Sequence, residues 1–325
     1  MQLTRNFKTL IHQTQPLPMN DTVNPGSSRP TVPLVIISPV RDEAALISKT
    51  LDSIVAQTVL PLEWVIVDDG STDDTAAIVQ QYADKHPFIH LVTIQDRGFR
   101  KLGGGVVAAF NFGLTQIKSP QYAYIAKLDG DMSFGPHYLE IMFKAFEANA
   151  KLAAVSGKVF RPENGGFVEE LTIDEHVAGQ FKLYRWSAFC DIGGFVEEVL
   201  WDGIDVHTAR MMGWQTESFH HPDARLIHHR LMGSSDKNVY RGRLRLGRGI
   251  YFMGYHPLYA LASSLFRMRE KPFVIGGVLI MVGFIKAYFQ RVPRYDNPEF
   301  RAYLQKWQID TLKARLWRRT PRPHP

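Results

Sequence analysis

The sequence has 325 residues, of which 45% are hydrophobic and 22% charged, with a formal net charge of +6. These proportions resemble those of ordinary globular proteins and exclude both a wholly disordered chain and a polytopic membrane protein. The length allows one large α/β domain, or a domain of about 230 residues with an appendage.

Apolar, β-branched segments alternate with helical patterns along the first half of the chain. We predict strands at Leu34–Ser38, Trp64–Asp68, Ile89–Ile94, Tyr122–Leu128 and Leu152–Phe160, and helices at Ala44–Gln57, Asp74–Lys85, Val106–Ile117 and Pro136–Asn149. Continuous apolar strands such as Leu34–Ile37 favour a parallel sheet, because helices cover both of its faces. The order predicts a doubly wound α/β fold.

The alternation weakens in a Gly-rich, acidic stretch from Pro162 to Asp174. A second part runs to about His229, and a basic region with apolar runs follows. We therefore expect a flexible N-terminal lead over residues 1–32, an α/β domain over 33–230 with halves 33–150 and 151–230, and a basic helical region over 231–325.

Acidic loops follow three of the predicted strands. They comprise residues 38–43 after the first strand, 68–71 after the second and 129–131 after the fourth. Ligands of open parallel sheets bind at the carboxyl ends of the strands. We therefore expect these acidic side chains to converge on one edge of the sheet.

Asp129 and Asp131 are two residues apart, so in an extended backbone both carboxylates point the same way. Mg²⁺ and Mn²⁺ prefer oxygen ligands, and Mg²⁺ is usually held by one or two carboxylates plus substrate phosphates. A divalent-cation site is one interpretation. In the other, Asp129 caps the next turn and Asp131 is solvated.

Asp68 and Asp69 also allow two interpretations. The residues of the run Asp-Gly-Ser-Thr-Asp-Asp are typical of a turn and of the N-cap of the helix that follows. At a sheet edge that faces Asp129 and Asp131, at least one of the pair is better explained as an acceptor for base or ribose donors.

Four segments together resemble a known family. They are Ile-Ile-Ser-Pro-Val-Arg-Asp-Glu at 36–43, Val-Asp-Asp-Gly-Ser-Thr-Asp-Asp-Thr at 67–75, Leu-Asp-Gly-Asp-Met at 128–132, and Trp-Asp-Gly-Ile-Asp at 201–205 before Gly213-Trp214. In order and spacing, they resemble the inverting family-2 glycosyltransferases of GT-A fold over about residues 33–230. The resemblance implies a GT-A-type domain with a mostly parallel sheet, in which residues 33–150 form the nucleotide-binding half and residues 151–230 the acceptor half.

The resemblance also implies the site residues. The nucleotide-sugar site then comprises Ser38, Pro39, Glu43, Asp69 and Asp129. Asp131 binds the divalent cation, Mn²⁺ or Mg²⁺, with Asp129 beside it. The cation stabilises the charge that develops on a departing nucleoside diphosphate.

Asp202 takes the general-base position by the same resemblance, and Asp205 is the competing candidate. The family more often has Glu-Asp where this chain has Trp201-Asp202. A base opposite the leaving group takes the proton of the attacking hydroxyl, which predicts inversion at the anomeric carbon. If the acceptor is itself a phosphate, no strong base is required and Asp202 matters less.

The loop Arg97–Gly105 precedes a predicted helix. Arg100, Lys101 and the helix N-terminus allow a phosphate-binding interpretation. The alternative is a flexible glycine turn with solvated charges, because the run matches neither G-x-x-x-x-G-K-[ST] nor G-x-G-x-x-G.

Four histidines flank a predicted strand near residues 223–227: His220, His221, His228 and His229. Neighbouring residues of a strand face opposite sides, so each pair offers at most one inward ligand. We expect surface or packing roles, with a third metal ligand from His228 or His229 as the alternative. They form no zinc signature.

Basic residues concentrate near the C-terminus. Between Arg225 and Arg294 there are 13 Lys or Arg residues but only two acidic ones, Asp236 and Glu270. This asymmetry indicates an anionic partner. We expect no nucleic acid, because no recognised binding motif accompanies the charge.

Two uncharged apolar runs, Ile250–Phe266 and Phe273–Ile285, lie within the basic region. Both are shorter than the roughly 20 residues that a spanning helix prefers. Helices at an anionic bilayer interface are the favoured interpretation. Core helices with solvated charges, or a re-entrant or spanning hairpin, are the alternatives.

Cys190 is the only cysteine, which favours a reducing compartment, and residues 1–33 lack the apolar core of a secretory signal. We expect a cytoplasmic enzyme, peripheral on the membrane face, that transfers sugar from a nucleotide diphosphate to a glycan or lipid-linked acceptor. Its expected role is cell-envelope polysaccharide or glycolipid synthesis.

Two other functions share parts of the pattern. A sugar nucleotidyltransferase needs a Gly-rich phosphate loop directly after its first strand, where Ser38–Glu43 contains no glycine. A non-catalytic nucleotide-sugar sensor keeps Asp69 and Asp131 but can dispense with Asp202, and the presence of Asp202 argues against it.

Overall fold

The structure is a computed structural model that describes residues 29–95, 104–163, 165–170, 172–230 and 239–317. The chain divides into two compact units, Met1–Leu231 and Met232–Pro325. Most of the lead predicted over residues 1–32 lies outside the described residues, and Thr31 already belongs to the first strand.

Strands and helices alternate in the N-terminal unit. The strands are β1 (Thr31–Val40), β2 (Leu60–Asp68), β3 (Ile89–Thr93), β4 (Tyr124–Leu128), β5 (Met132–Phe134), β6 (Leu152–Gly157), β7 (Val159–Glu163), β8 (Gly166–Glu169), β9 (Phe181–Arg185), β10 (Gln215–Phe219) and β11 (Leu226–His228). The helices are α1 (Ile47–Val55), α2 (Thr75–Ala83), α3 (Gly104–Leu114), α4 (Tyr138–Ala148), α5 (Trp186–Asp191) and α6 (Trp201–Met211).

Within the described residues these strands form two sheets. The larger has seven strands in the order β10-β6-β9-β4-β1-β2-β3, and the smaller has four in the order β5-β11-β7-β8. In the larger sheet only β9 is antiparallel to its neighbours. The predicted mostly parallel α/β sheet is thereby confirmed.

Both faces of the large sheet are covered. Leu34 and Ile36 of β1 pack in one buried cluster with residues of α1, α2 and α4. Val35 and Ile37 pack in a second cluster with residues of α3, α5 and α6. Neighbouring residues of a strand face opposite sides of the sheet. Because helices cover both sides, the consecutive residues Leu34–Ile37 of β1 must all be apolar to pack against them.

The predicted single strand Leu152–Phe160 is wrong, because the chain changes sheets there. β6 ends at Gly157 in the large sheet and β7 begins at Val159 in the small one. A Cβ atom on Gly157 would lie 1.6 Å from the carbonyl oxygen of Ala224. The strand predicted near residues 223–227 starts instead with a 3₁₀ turn, Pro222–Ala224, before β11.

Gly157→Ala should lower the free energy of unfolding by at least about 3 kcal/mol, since backbone rather than a movable side chain occupies the space. Gly166→Ala is the matched control, because the nearest atom to its added Cβ is 3.9 Å away. Urea unfolding measures both variants. Equal losses of stability would contradict the close contact.

The C-terminal unit is helical where it is described. Its helices are α7 (Val239–Met253), α8 (Pro257–Phe266), α9 (Ile275–Phe289) and α10 (Pro298–Trp317), with a 3₁₀ turn at Arg267–Arg269. A Cβ on Gly247 would lie 2.0 Å from the carbonyl oxygen of Ile280, and one on Gly283 would lie 2.2 Å from that of Leu244. Helices α7 and α9 therefore meet backbone to backbone through glycines.

Among the described residues, every helix is too short or too polar to cross a bilayer. The longest described helix, α10, has 20 residues but carries charges throughout its length.

Candidate active site

Hydrogen bonds join the loops that follow β1 and β2. The backbone amides of Asp42 and Glu43 donate to the hydroxyls of Ser71 (3.0 Å) and Thr75 (2.8 Å). In return, the carboxylate of Asp42 accepts the amide of Thr72 at 2.8 Å. Asp42 has φ 54°, a strained value for a residue other than glycine. These reciprocal bonds hold both loops in one arrangement.

A small pocket opens at the carboxyl ends of β1 and β2. It is lined by Pro39, Val40, Arg41, Asp69, Gly105, Val106 and Ala109. The guanidinium of Arg41 donates to the carbonyl oxygen of Asp69 at 2.9 Å. The structure thus brings Pro39 and Asp69 together, at the edge where a nucleotide was expected.

Two of the neighbouring polar residues have other partners. The side chain of Ser38 is fully buried, and its hydroxyl accepts a hydrogen bond from the indole of Trp64 at 2.9 Å. Asp68 accepts the amide of Ser71 at 2.9 Å, which is the turn role considered for it. Ser38 therefore packs in the core and does not line the pocket.

Asp131 lies in a buried cluster of opposite charges. Its Oδ2 is 3.4 Å from Nε2 of His228 and 3.7 Å from Nε of Arg230. Arg230 also donates to Glu43 at 2.6 Å. On its other side, His228 has Nδ1 3.6 Å from Oε1 of Glu170. Arg230 and Glu170 were not predicted, because nothing in their local sequence marks them as partners of a distant carboxylate.

These neighbours change the protonation of the cluster. Burial by itself lowers the pKa of His228, but the carboxylates of Asp131 and Glu170 outweigh it and raise the pKa to about 10. Burial by itself raises the pKa of Asp131, but the opposing effect of His228 and Arg230 is larger, so the pKa lies below its ordinary value. Near neutral pH the pair is therefore an imidazolium and a carboxylate.

The two carboxylates of the Asp-Gly-Asp loop fit a divalent cation as partial ligands. Oδ1 of Asp131 is buried and has no hydrogen-bond partner among the described residues, which is a costly state that a cation would relieve. Asp129, which accepts from Lys127, is partly exposed beside it. In the described part of the chain, no three His, Cys, Asp or Glu side chains are grouped to hold a metal. The remaining ligands would have to be water and substrate phosphate, as is common for Mg²⁺.

A tryptophan packs against two buried lysines that are paired on neighbouring strands. The ammonium groups of Lys127 and Lys182 are 5.3 and 5.2 Å from the ring centroid of Trp201, within the range of cation–π attraction. Lys127 also holds Asp129, and Lys182 donates to the carbonyl oxygen of Asp202 at 2.8 Å. Trp201, noted only as a departure from the family pattern, thus links the Asp-Gly-Asp loop to the start of α6.

Asp202 and Asp205 have different surroundings. Asp205 is 2% exposed and accepts two hydrogen bonds from Lys182, at 2.8 and 3.0 Å, and one from Tyr184 at 3.0 Å. Burial raises the pKa of Asp205, and Lys182 opposes that effect. Asp202 is partly exposed in the first turn of α6, after Leu200 at the strained φ of 66°. This contrast favours Asp202 as the group that meets a substrate.

The loop predicted at Arg97–Gly105 falls mainly on residues 96–103, outside the described residues. Its last two glycines begin α3. A Cβ on Gly104 would lie 2.4 Å from the carbonyl oxygen of Glu197, so a larger residue is not accommodated there.

Lys182→Met should destabilise the N-terminal unit by about 3–5 kcal/mol, because it leaves the carboxylate of Asp205 buried without its ion-pair partner. Adding Asp205→Leu removes the unpaired charge and should restore much of that loss. Thermal unfolding of the single and double variants tests this. A double variant no more stable than Lys182→Met would contradict the ion pair as the source of the loss.

A family model described as "Glycosyl transferase family 2" matches residues 35–201, just over half of the chain. The chain belongs to glycosyl transferase family 2. The resemblance drawn from the four motifs is thereby confirmed.

Relatives in this family have named activities. Validoxylamine A glucosyltransferase of Streptomyces hygroscopicus subsp. limoneus is 30% identical over 182 residues, which are 53% of this chain and 38% of that protein. Hyaluronan synthase of Pasteurella multocida is 29% identical over 180 residues, or 52% of this chain and 18% of that protein. The chain spans less than two fifths of the length of these two family-2 relatives.

Among solved structures, the chain is similar to a mannosyltransferase from Pyrobaculum calidifontis in complex with GDP-Man and Mn²⁺. The TM-score is 0.48 at 18% identity, and the alignment covers 98% of this chain and 94% of the mannosyltransferase.

Proposed function

We propose that the protein is a metal-dependent, inverting glycosyltransferase that transfers a sugar from a nucleotide diphosphate donor. The observation that carries the proposal is that the Asp-Gly-Asp loop and the pocket-lining end of β1 meet at one edge of the sheet. A Cβ on Gly130, between Asp129 and Asp131, would lie 3.0 Å from Val40 Cγ1 and 3.4 Å from Glu43 Cγ. The Asp-Gly-Asp loop therefore packs directly against the strand end that lines the pocket.

Each residue of this edge has a role in binding the donor. Asp69 and Pro39 line the pocket for the nucleoside, and Glu43 holds Arg230 near the diphosphate position. Asp131 and Asp129 would hold Mn²⁺ or Mg²⁺, which neutralises the negative charge of the departing diphosphate. Arg230 adds positive charge beside Asp131, with its Nε 3.7 Å from Oδ2 of that carboxylate.

Asp202 acts as the general base on the acceptor. Its partly exposed carboxylate takes the proton of the attacking hydroxyl while the diphosphate leaves from the opposite side of the sugar, which inverts the anomeric carbon. Lys182 fixes the backbone of Asp202 and Trp201 packs against Lys182, so the base is held in place. Asp205 is unavailable for this role because it is buried in its ion pair.

The acceptor is a glycan or a lipid-linked sugar, and the setting is cell-envelope polysaccharide or glycolipid synthesis. Support comes from relatives such as the hyaluronan synthase, whose name is that of a polysaccharide synthase. We also propose that the protein is cytoplasmic and peripheral at an anionic membrane surface. The single cysteine and the basic C-terminal region support this location.

A donor panel tests the proposed reaction. The protein is incubated with nucleotide sugars and Mn²⁺ or Mg²⁺, with and without lipid extract, and release of nucleoside diphosphate is followed. Asp131→Asn should lower release by at least about 100-fold, because a ligand of the charge-stabilising cation is lost. Asp84→Asn, an exposed change on another surface, should have no effect. Absence of release with every donor, or undiminished release by Asp131→Asn, would refute the mechanism.

Substitutions of Asp202 and Asp205 should have different effects on kcat and on melting temperature. Asp202→Asn should lower kcat by about 100-fold or more at unchanged melting temperature, because general-base catalysis is lost. Asp205→Asn should lower the melting temperature, because Lys182 loses its buried counter-charge. A much smaller kcat effect of Asp202→Asn would indicate a phosphate acceptor. A loss of kcat in Asp205→Asn at unchanged melting temperature, with Asp202→Asn fully active, would reverse the assignment.

A further inference from the structure

Helices α8 and α9 carry a row of exposed apolar side chains. On α9 these are Ile275, Val278, Val282, Ile285 and Phe289, and on α8 they are Leu258, Leu261 and Leu265. Their spacing of three and four residues places each set on one side of its helix. Exposure is high, with 60% for Leu258 and 77% for Phe289. Each helix therefore presents an apolar stripe to the outside.

The opposite side of α9 is already used for packing. Gly276, Gly277, Ile280, Gly283, Phe284 and Ala287 are buried there. Gly283 meets Leu244 of α7, and Gly277 meets Ser264 of α8, where an added Cβ on Gly277 would lie only 2.3 Å from the carbonyl oxygen of Ser264. The exposed stripe is thus separate from the core of the C-terminal unit. A helix with solvent on one side normally has polar residues there.

The connection between α8 and α9 continues the apolar surface. Phe266, Phe273 and Val274 are 49%, 60% and 58% exposed. The connection folds back on itself, since the amide of Val274 donates to the carbonyl oxygen of Met268 at 2.9 Å. Contiguous exposed apolar surface on a protein marks an interaction site, whereas single exposed residues do not.

Basic residues border the same surface. Arg267, Arg269 and Lys271 lie in the connection, and Lys286 lies near the end of α9. The acidic residue there, Glu270, is neutralised by Arg243 at 3.2 Å and Arg267 at 3.3 Å. The rim therefore carries net positive charge next to apolar side chains.

We propose that the stripes of α8 and α9, with Phe266, Phe273 and Val274, insert into the headgroup region of an anionic bilayer. This proposal rests on the membrane location proposed above and identifies the surface responsible for it. The apolar side chains are buried against the acyl chains, and the anionic headgroups pair with the basic rim. A second copy of this chain fits less well, because the same positive rim would face itself.

Vesicle flotation of the full chain tests the docking surface, using phosphatidylcholine vesicles with and without phosphatidylglycerol. The double change Val278→Asn with Ile285→Asn should weaken binding to the anionic vesicles by at least about tenfold, because two apolar side chains lose their transfer free energy. Arg269→Gln with Lys271→Gln should weaken it by about 25-fold, at roughly fivefold per charge. Raised salt should weaken binding of the unchanged protein as well.

Controls separate this proposal from others. Phe167→Ser removes an equally exposed aromatic residue of the N-terminal unit and should float as the unchanged protein does. Asp131→Asn should also float normally, so a failure of glycosyl transfer leaves the docking result intact. Thermal unfolding verifies that the α9 variant is folded.

Two outcomes would overturn the docking surface. In the first, the α9 and rim variants bind vesicles as tightly as the unchanged protein. In the second, the α9 variant converts a dimer to a monomer in sedimentation while flotation is unchanged, which would assign the face to self-association.

Discussion

The candidate site depends on holding carboxylates at a buried sheet edge with cations supplied by the protein itself. A carboxylate removed from water loses several kcal/mol of solvation unless a counter-charge and hydrogen bonds replace the water. Lys182 does this for Asp205, and His228 with Arg230 does it for Asp131. These carboxylates can therefore stay ionised at this edge of the sheet although they are shielded from solvent.

This balance is complete at Asp205 but incomplete at Asp131. All acceptor positions used by Asp205 are filled by Lys182, Tyr184 and its own helix, so nothing is left for a ligand. Asp131 keeps one buried oxygen that no group in the described part of the chain satisfies, while its other oxygen is paired. Two acids that look alike in sequence therefore differ in their surroundings: the carboxylate of Asp205 is fully satisfied within the fold, and that of Asp131 is not.

Features set by local pattern were predictable, and features set by distant partners were not. The apolar alternation predicted β1 and its neighbours, and strand-end position predicted that the loops after β1 and β2, which carry Pro39 and Asp69, meet at one edge. Ser38 shares that strand end, but alternation along β1 turns its side chain to the indole of Trp64. Arg230 lies 187 residues from Glu43, and no local periodicity encodes such a pair.

The apolar C-terminal runs show why hydropathy alone left three interpretations open. A run that is apolar all round fits a core helix, an interfacial helix or part of a hairpin, because composition does not say which side is covered. In α9 the glycines decide this. Gly247 and Gly283 allow α7 and α9 to approach at backbone distance, so small residues occupy the packed side and leave Val278 and Ile285 on the other. Core packing and an exposed apolar face are therefore properties of the same helix, and the core-helix interpretation describes only one side of it.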